Sequence, residues 1–273
     1  MTSRVPRIAV LTSFSAPGIG SLLAQPNRGS VYDIVAVIGS EVKILEQETI
    51  ETAGVPVILQ PIERFHRDRN LSLRNLNARE EYDHDLAELL RRLGADWVGL
   101  AGYKYILTAP MLAAFPQRLI ALHEGDLSVR DEDGRRPLAS LHAVRDAILS
   151  GRDETRSSAF FVTRDVGEGP LFLLGTRYPV AALVRDARGW GDVEMVVRYA
   201  ELHREWMLRG SWGEMLTRMA EIIAAGTMNV IGDVVWVDGV PGPCRIGEPP
   251  VACYEREAAI DPAVPASCPF VSR

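Results

Sequence analysis

Residues 123–126, His-Glu-Gly-Asp, set an imidazole beside two carboxylates within one short stretch of chain. Side chains of these types move protons at a reacting centre. An imidazole made cationic can also face a developing oxyanion. His123, Glu124 and Asp126 are therefore the first candidates for catalytic work. Shared metal ligation suits them less, because neighbours on an extended chain point to opposite faces, and no metal site is assigned. A second candidate is the turn at residues 15–21 (SAPGIGS), where a strand hands over to a helix. Free backbone N–H groups there favour an anion, which makes Ser13, Gly18, Gly20 and Ser21 candidate substrate contacts. No lysine follows the glycines and the GxGxxG fingerprint is incomplete. The plainer alternative is that Pro17 and Gly18 only shape a tight turn.

Other reactive types read more plainly. His142 is either near a substrate or a partly buried histidine at a helix start. His66 and His84 are flanked by charges and are expected to face solvent. Arg156 could bind an anion, but a surface ion pair with Asp153 or Glu154 explains it as well. His203, Trp206 and Trp212 lie on one long helical stretch, where such a stripe signals packing in the core or at a dimer contact.

The elements that must position these residues alternate. Short apolar runs at residues 7–13, 32–39, 55–59, 97–101 and 119–122 suit strands buried on both faces of a parallel sheet. Helical patterns lie between them at 39–53 and 79–93. The latter puts Leu86, Leu89, Leu90 and Leu93 on one face and charges on the other. The result is an α/β, doubly wound, mostly parallel sheet. A helix at 138–150 and strands at 157–163 and 171–178 follow. A long helix then spans about 192–225, with a candidate break at Gly210–Gly213, and a hairpin follows at 234–240 with Asp238-Gly239 as its turn. Three parts are expected: an α/β domain at 1–182, a C-terminal helix and hairpin packed on it at 183–240, and an extended tail at 241–273.

The 273 residues are 47% hydrophobic and 24% charged, with a net charge of −6 and no basic stripe. That composition argues against nucleic acid as a partner. No run approaches the roughly 20 apolar residues of a membrane span, and the polar start reads as no signal peptide. Cys244, Cys253 and Cys268 lack CxxC spacing, which fits a reduced, cytoplasmic protein.

Residues 100–116 (LAGYKYILTAPMLAAFP) and 118–123 (RLIALH) resemble a block in folate-dependent formyltransferases of the glycinamide ribonucleotide type. That block runs LAG, an aromatic, IL, then FP and an Asn-x-His. Residues 161–170 (FVTRDVGEGP) are similar to the family's stretch ending in Asp-Thr-Gly-Pro, and the long helix with VWVDG is similar to its C-terminal end. The resemblance covers roughly residues 7–240 and implies a formyltransferase-like variant of the Rossmann fold. It further implies that 10-formyltetrahydrofolate is the one-carbon donor and a small-molecule amine, with or without a phosphate, the acceptor. Backbone at Tyr105, Ile106 and Leu107, and in the loop holding Asp165, Val166, Gly167 and Gly169, would grip the pterin. The substrate phosphate would sit on the first glycine-rich turn. A trio of Asn, His and Asp would run the chemistry.

Only the histidine of that trio is present, as His123. Ala121 stands at the Asn position and Gly167 at the Asp position. Phe160 replaces a family histidine, Glu124 follows His123 where the family has Pro, and the turn's family Asn falls near Gly20. Losing an oxyanion donor typically costs about 10²–10³ in rate, and losing an acid–base partner costs about 10²–10⁴. Glu168, Asp165, Glu124 and Asp126 are the candidate substitute carboxylates. Three readings follow: a formyltransferase using His123 with a substitute carboxylate, a non-catalytic folate-binding or interaction protein, and a formyl hydrolase on the same scaffold.

Overall fold

The computed structural model describes residues 4–247. In chain order they form β1 (Arg7–Thr12), α1 (Ile19–Leu23), β2 (Asp33–Gly39), α2 (Gln47–Thr52), β3 (Val57–Leu59), α3 (Ile62–Asp68) and α4 (Leu76–Arg92). Next come β4 (Trp97–Leu100), α5 (Ala109–Ala114), β5 (Leu119–His123), α6 (Ala143–Leu149), β6 (Glu154–Thr155), β7 (Ser158–Phe161), β8 (Leu171–Leu174) and β9 (Tyr178–Pro179). The chain continues through α7 (Ala182–Trp190), α8 (Val193–Ala225), β10 (Met228–Ile231), β11 (Val234–Val237), β12 (Val240–Pro241) and β13 (Cys244–Arg245).

The main sheet runs β13-β8-β7-β5-β4-β1-β2-β3. The five strands from β5 to β3 are parallel to their neighbours, and β7 and β8 extend them antiparallel. The strand order reverses between β1 and β4, so ligands of such sheets belong at the carboxyl ends of these two strands. One apolar cluster joins one sheet face to α1, α6 and α8 through residues such as Ile8, Val10, Val144, Met215 and Met219. A second joins the other face to α4 and α5 through Leu11, Leu86, Leu90 and Met111.

Alternation along β5 decides what its end can do. Ala121 packs in the α4–α5 cluster, while Ile120 and Leu122 pack in the α8 cluster.

Several expected elements change. The 39–53 helix shrinks to α2, and the 138–150 helix to α6. The long helix runs unbroken through Gly210 and Gly213, since both glycines serve close approach. A Cβ on Gly213 would lie 2.7 Å from Ser21, and one on Gly210 would meet the Tyr178 hydroxyl. The hairpin forms as expected: Val237 pairs with Val240, and Asp238 and Gly239 take φ of 52° and 77°, the left-handed pair of a two-residue type I′ turn. Within the expected tail, β13 adds an edge strand beside β8. The rest of that tail, with Cys253 and Cys268, lies outside the described residues. No described helix is long and apolar enough to cross a membrane.

Candidate functional site

The loops at the switch point are joined around Ser13, just past β1. Its hydroxyl bonds Ser40 Oγ at 2.8 Å and accepts the Lys104 N–H at 3.1 Å, while its N–H donates to the Gly102 carbonyl. Ser13 is buried and committed to joining three loops.

The turn that follows is filled from within. The Glu46 carboxylate accepts the Ala16 N–H at 2.9 Å and the Ser15 hydroxyl at 2.7 Å. Glu46 precedes α2, so the shortened helix is what frees it to reach this turn. Gly18, at φ 79°, lies against α8, and a Cβ there would sit 2.3 Å from Gly213 N. Gly20 faces Thr49, and Ser21 lies on the rim of a cavity of about 510 Å³ between α1, α8 and residues 245–247.

The segment expected to grip a pterin is held from behind by α4. Arg79 donates to the Ile106 carbonyl from Nε (3.2 Å) and Nη2 (2.7 Å) and reaches the Tyr103 hydroxyl. Asp83, fully buried, lies 3.2 Å from Arg79 and accepts both the N–H and the hydroxyl of Thr108. Burial pushes its carboxyl up against the pull of Arg79. The Ile106 side chain is exposed, Leu107 is buried and Tyr105 is partly buried. Arg79 and Asp83 therefore lie on the buried face of α4, where apolar residues alone were expected.

At the end of β5 the two candidate groups diverge. Glu124 is buried and pairs with Arg204 of α8. Burial raises its pKa, while Arg204 and His142 counteract. His123 follows the opposite alternation. Its Nδ1 accepts the Gly125 N–H at 2.9 Å, so the neutral ring carries its proton on Nε2. Burial drives its pKa down to about 4, against an upward pull from backbone of Ser140, Gly125 and Ala139. None of its hydrogen-bond partners among the described residues is a carboxylate. A cationic His123 paired with a nearby carboxylate is not the arrangement present.

The remaining carboxylates are engaged elsewhere. Asp126 accepts Arg156 Nε at 2.7 Å and caps Ser128, so Arg156 pairs here and not with Asp153 or Glu154. Glu168 binds Arg130 at 3.0 Å and the Arg136 N–H at 3.3 Å. Asp165 and Val166 are exposed. Gly167 takes φ 74°, and a Cβ on it would lie 2.9 Å from that of Ala139. Gly167 is thus closed against the segment after β5. Arg136 of that segment, with its side chain 4% exposed, donates through Nη1 to the carbonyls of Gly167 (2.5 Å) and Gly169 (2.9 Å).

Of the remaining histidines, His142 is exposed at the start of α6 and His84 faces solvent. His66 corrects the expectation. It is 1% exposed, with Nδ1 at 2.9 Å from the Ser72 carbonyl, because α3 turns it inward. His203 is buried between Thr155 Oγ1 (2.7 Å) and the Tyr199 hydroxyl (3.0 Å), beside Trp206, while Trp212 donates to Ser157. This stripe is core packing against β6 and β9. Burial also holds His203 down to about 4.

These two rings give a pH prediction. Their folded pKa lies below the ordinary value of about 6.5, so the unfolded chain binds more protons between pH 6.5 and 4. Their contribution to stability is complete above about 6.5 and is lost as pH falls toward 4. It amounts to up to about 3 kcal/mol per ring. The raised carboxyls of Glu124 and Asp83 act in the opposite sense, so the clean readout is the rings themselves. Imidazole ¹⁵N shifts should show His123 and His203 neutral to about pH 4, with His123 protonated on Nε2. A midpoint near 6.5 for His123 would contradict this geometry.

A doubly wound sheet with an antiparallel extension, a histidine closing β5 and a long helix packed behind defines the class of fold. The formyl transferase family model matches residues 6–187, and the chain belongs to that family. It is 27% identical over 163 residues to phosphoribosylglycinamide formyltransferase of Escherichia coli, covering 60% of this chain and 66% of that protein. It is also 27% identical over 168 residues to that organism's formyltetrahydrofolate deformylase, covering 61% of this chain and 52% of the deformylase. The chain spans only 12% of the trifunctional purine biosynthetic protein adenosine-3 of Drosophila melanogaster, at 24% identity. Among solved structures, glycinamide ribonucleotide transformylase 1 from Symbiobacterium toebii superposes with a TM-score of 0.63 at 25% identity, covering 86% of this chain and 95% of that one.

Three features of the site were missed in the sequence: Glu46, Arg136 and the Arg79–Asp83 pair. Only the pair left a signal. Arg79, Asp83, Leu86 and Leu90 are spaced i, i+4, i+7, i+11, which is one helix face.

Proposed function

We propose that this chain is a folate-binding member of the formyltransferase family in which the family's trio no longer performs one-carbon transfer. The observation that carries this reading is at Gly167. On the resemblance Gly167 stands where the family has its carboxylate, a Cβ there would lie 2.9 Å from that of Ala139, and His123 accepts from the Gly125 backbone with its pKa held down by burial. Amine attack on a formyl carbon needs a donor for the oxyanion and a base for the amine proton. Ala121 and Gly167 offer neither. Glu124 faces α8, so it does not share a reacting atom with His123. Backbone of residues 105–107 and 165–169 would hold the pterin, at the switch point where this fold class takes ligands.

The Glu46 carboxylate in the first turn disfavours a phosphorylated partner there, because like charges repel in a partly buried site. The protein is read as acting in the cytoplasm on small molecules. The second reading keeps an enzyme: transfer from 10-formyltetrahydrofolate to an unphosphorylated amine, or to water as in the deformylase relatives. It is favoured by His123 alone. Calorimetry with 5-formyltetrahydrofolate tests the proposal. Saturable binding is expected, and no detectable heat up to millimolar folate would overturn it.

A further inference from the structure

The strongest unexplained feature is a buried cation that no family role accounts for. Arg136 sits in residues 126–142, between the acidic stretch after β5 and α6. Its side chain is 4% exposed. A guanidinium out of water needs full compensation, yet its Nη1 meets only the carbonyls of Gly167 and Gly169, and Nε lies 3.9 Å from Glu168 without a hydrogen bond. Both carbonyls belong to the loop beside the vacant carboxylate position. The same segment presses on this loop, and on Gly125 two residues past His123, at further points. A Cβ on Gly167 would meet Ala139, one on Gly125 would meet the Leu138 carbonyl at 2.2 Å, and Leu138 packs with Ala143 and Ala147 in a small cluster of its own. On the solvent side, Glu168 ties down Arg130 and the Arg136 backbone, and Arg130 in turn closes on the Gly134 carbonyl at 2.7 Å.

We propose that residues 126–142 form a latch in which the Arg136 guanidinium acts as an internal ligand of the Gly167 and Gly169 carbonyls, so that an outside ligand must displace it to enter. A guanidinium presents N–H groups attached to an amidine carbon. A 2-amino-pyrimidinone ring edge presents the same donor chemistry, so the two compete for one pair of acceptors. The bonds of Arg136 are the cost of opening, and the apparent affinity for the outside ligand falls by the fraction of chains that are open. This inference rests on the folate reading for the identity of the ligand, but not for the latch itself.

The test uses the full chain and two readouts: hydrogen exchange of residues 126–142 and 165–169, and calorimetry with 5-formyltetrahydrofolate. Arg136→Ala is expected to raise exchange in both segments at least tenfold and to tighten folate binding at least tenfold. Glu168→Gln weakens the exposed tie to Arg130 and the ion pair 3.9 Å from Arg136 Nε, and leaves the guanidinium's bonds to the Gly167 and Gly169 carbonyls in place. It should shift both readouts in the same direction by several-fold, and it serves if Arg136→Ala fails to fold. Unchanged exchange in a folded variant overturns the latch. Equal folate affinity in wild type and a folded variant also overturns it and leaves the folate reading standing. Raised exchange with no folate binding in any form overturns the folate reading and supports the latch.

Discussion

Gly18→Ala is expected to destabilise the fold by about 2–5 kcal/mol, read as a shift in the urea midpoint. Two costs combine. The residue sits at φ 79°, where an L side chain is strained by about 1–2 kcal/mol. Its Cβ would also lie 2.3 Å from Gly213 N and 2.5 Å from the Trp212 carbonyl carbon. These are backbone atoms in the middle of the 33-residue α8, so nothing nearby can rotate away, and overpacking of this kind adds about 1–3 kcal/mol or more. Gly20→Ala makes the control, because its Cβ would meet only the flexible end of Thr49 at 3.5 Å and should cost less than about 1 kcal/mol. If the two variants are equally stable, the turn is not set by its approach to α8, and the case for a ligand-shaped turn revives.

Asp83→Ala is expected to cost about 3–5 kcal/mol, the range for breaking one half of a buried ion pair. It would leave the Arg79 guanidinium buried without its carboxylate and strip Thr108 of two hydrogen bonds. The loss should also have a local signature. The Thr108 amide, which donates to Asp83, should lose its exchange protection, and residues 103–107 should follow because Arg79 holds the Ile106 carbonyl. Arg79→Ala should release the same loop. Destabilisation without altered exchange at 103–108 would mean that the pair supports α4 alone and does not position the loop.

Much of the fold was legible because its strands are buried on both faces and its long helices repeat. Apolar runs mark β1 to β5, and Asp238-Gly239 favours a tight left-handed turn. The short helices were overextended for a physical reason: residues 41–46 and 138–142 carry helix-compatible residues but are held by tertiary contacts, Glu46 to the first turn and Leu138 to its small cluster. At the site, the motif could place His123 but not its protonation state, which depends on burial and on Gly125 two residues away. Arg136 is one arginine in a polar run of DEDGRRPL, and its partners are more than thirty residues off. No spacing rule marks such a contact, and the same holds for the 30-residue reach of Glu46. The resemblance sets Ala121 and Gly167 at the family's Asn and Asp positions. The close packing of Ala139 on Gly167 and of Leu138 on Gly125 is visible only in the structure.

The measurement that bears most directly on this account is a single-turnover assay with the protein in excess over 10-formyltetrahydrofolate. Folate absorbance is followed with and without a panel of unphosphorylated amines, for wild type and His123→Ala. The account predicts that both proteins give the rate of the protein-free control. Turnover by the wild type that His123→Ala abolishes would contradict it and establish His123 as the working group of a transferase or a deformylase.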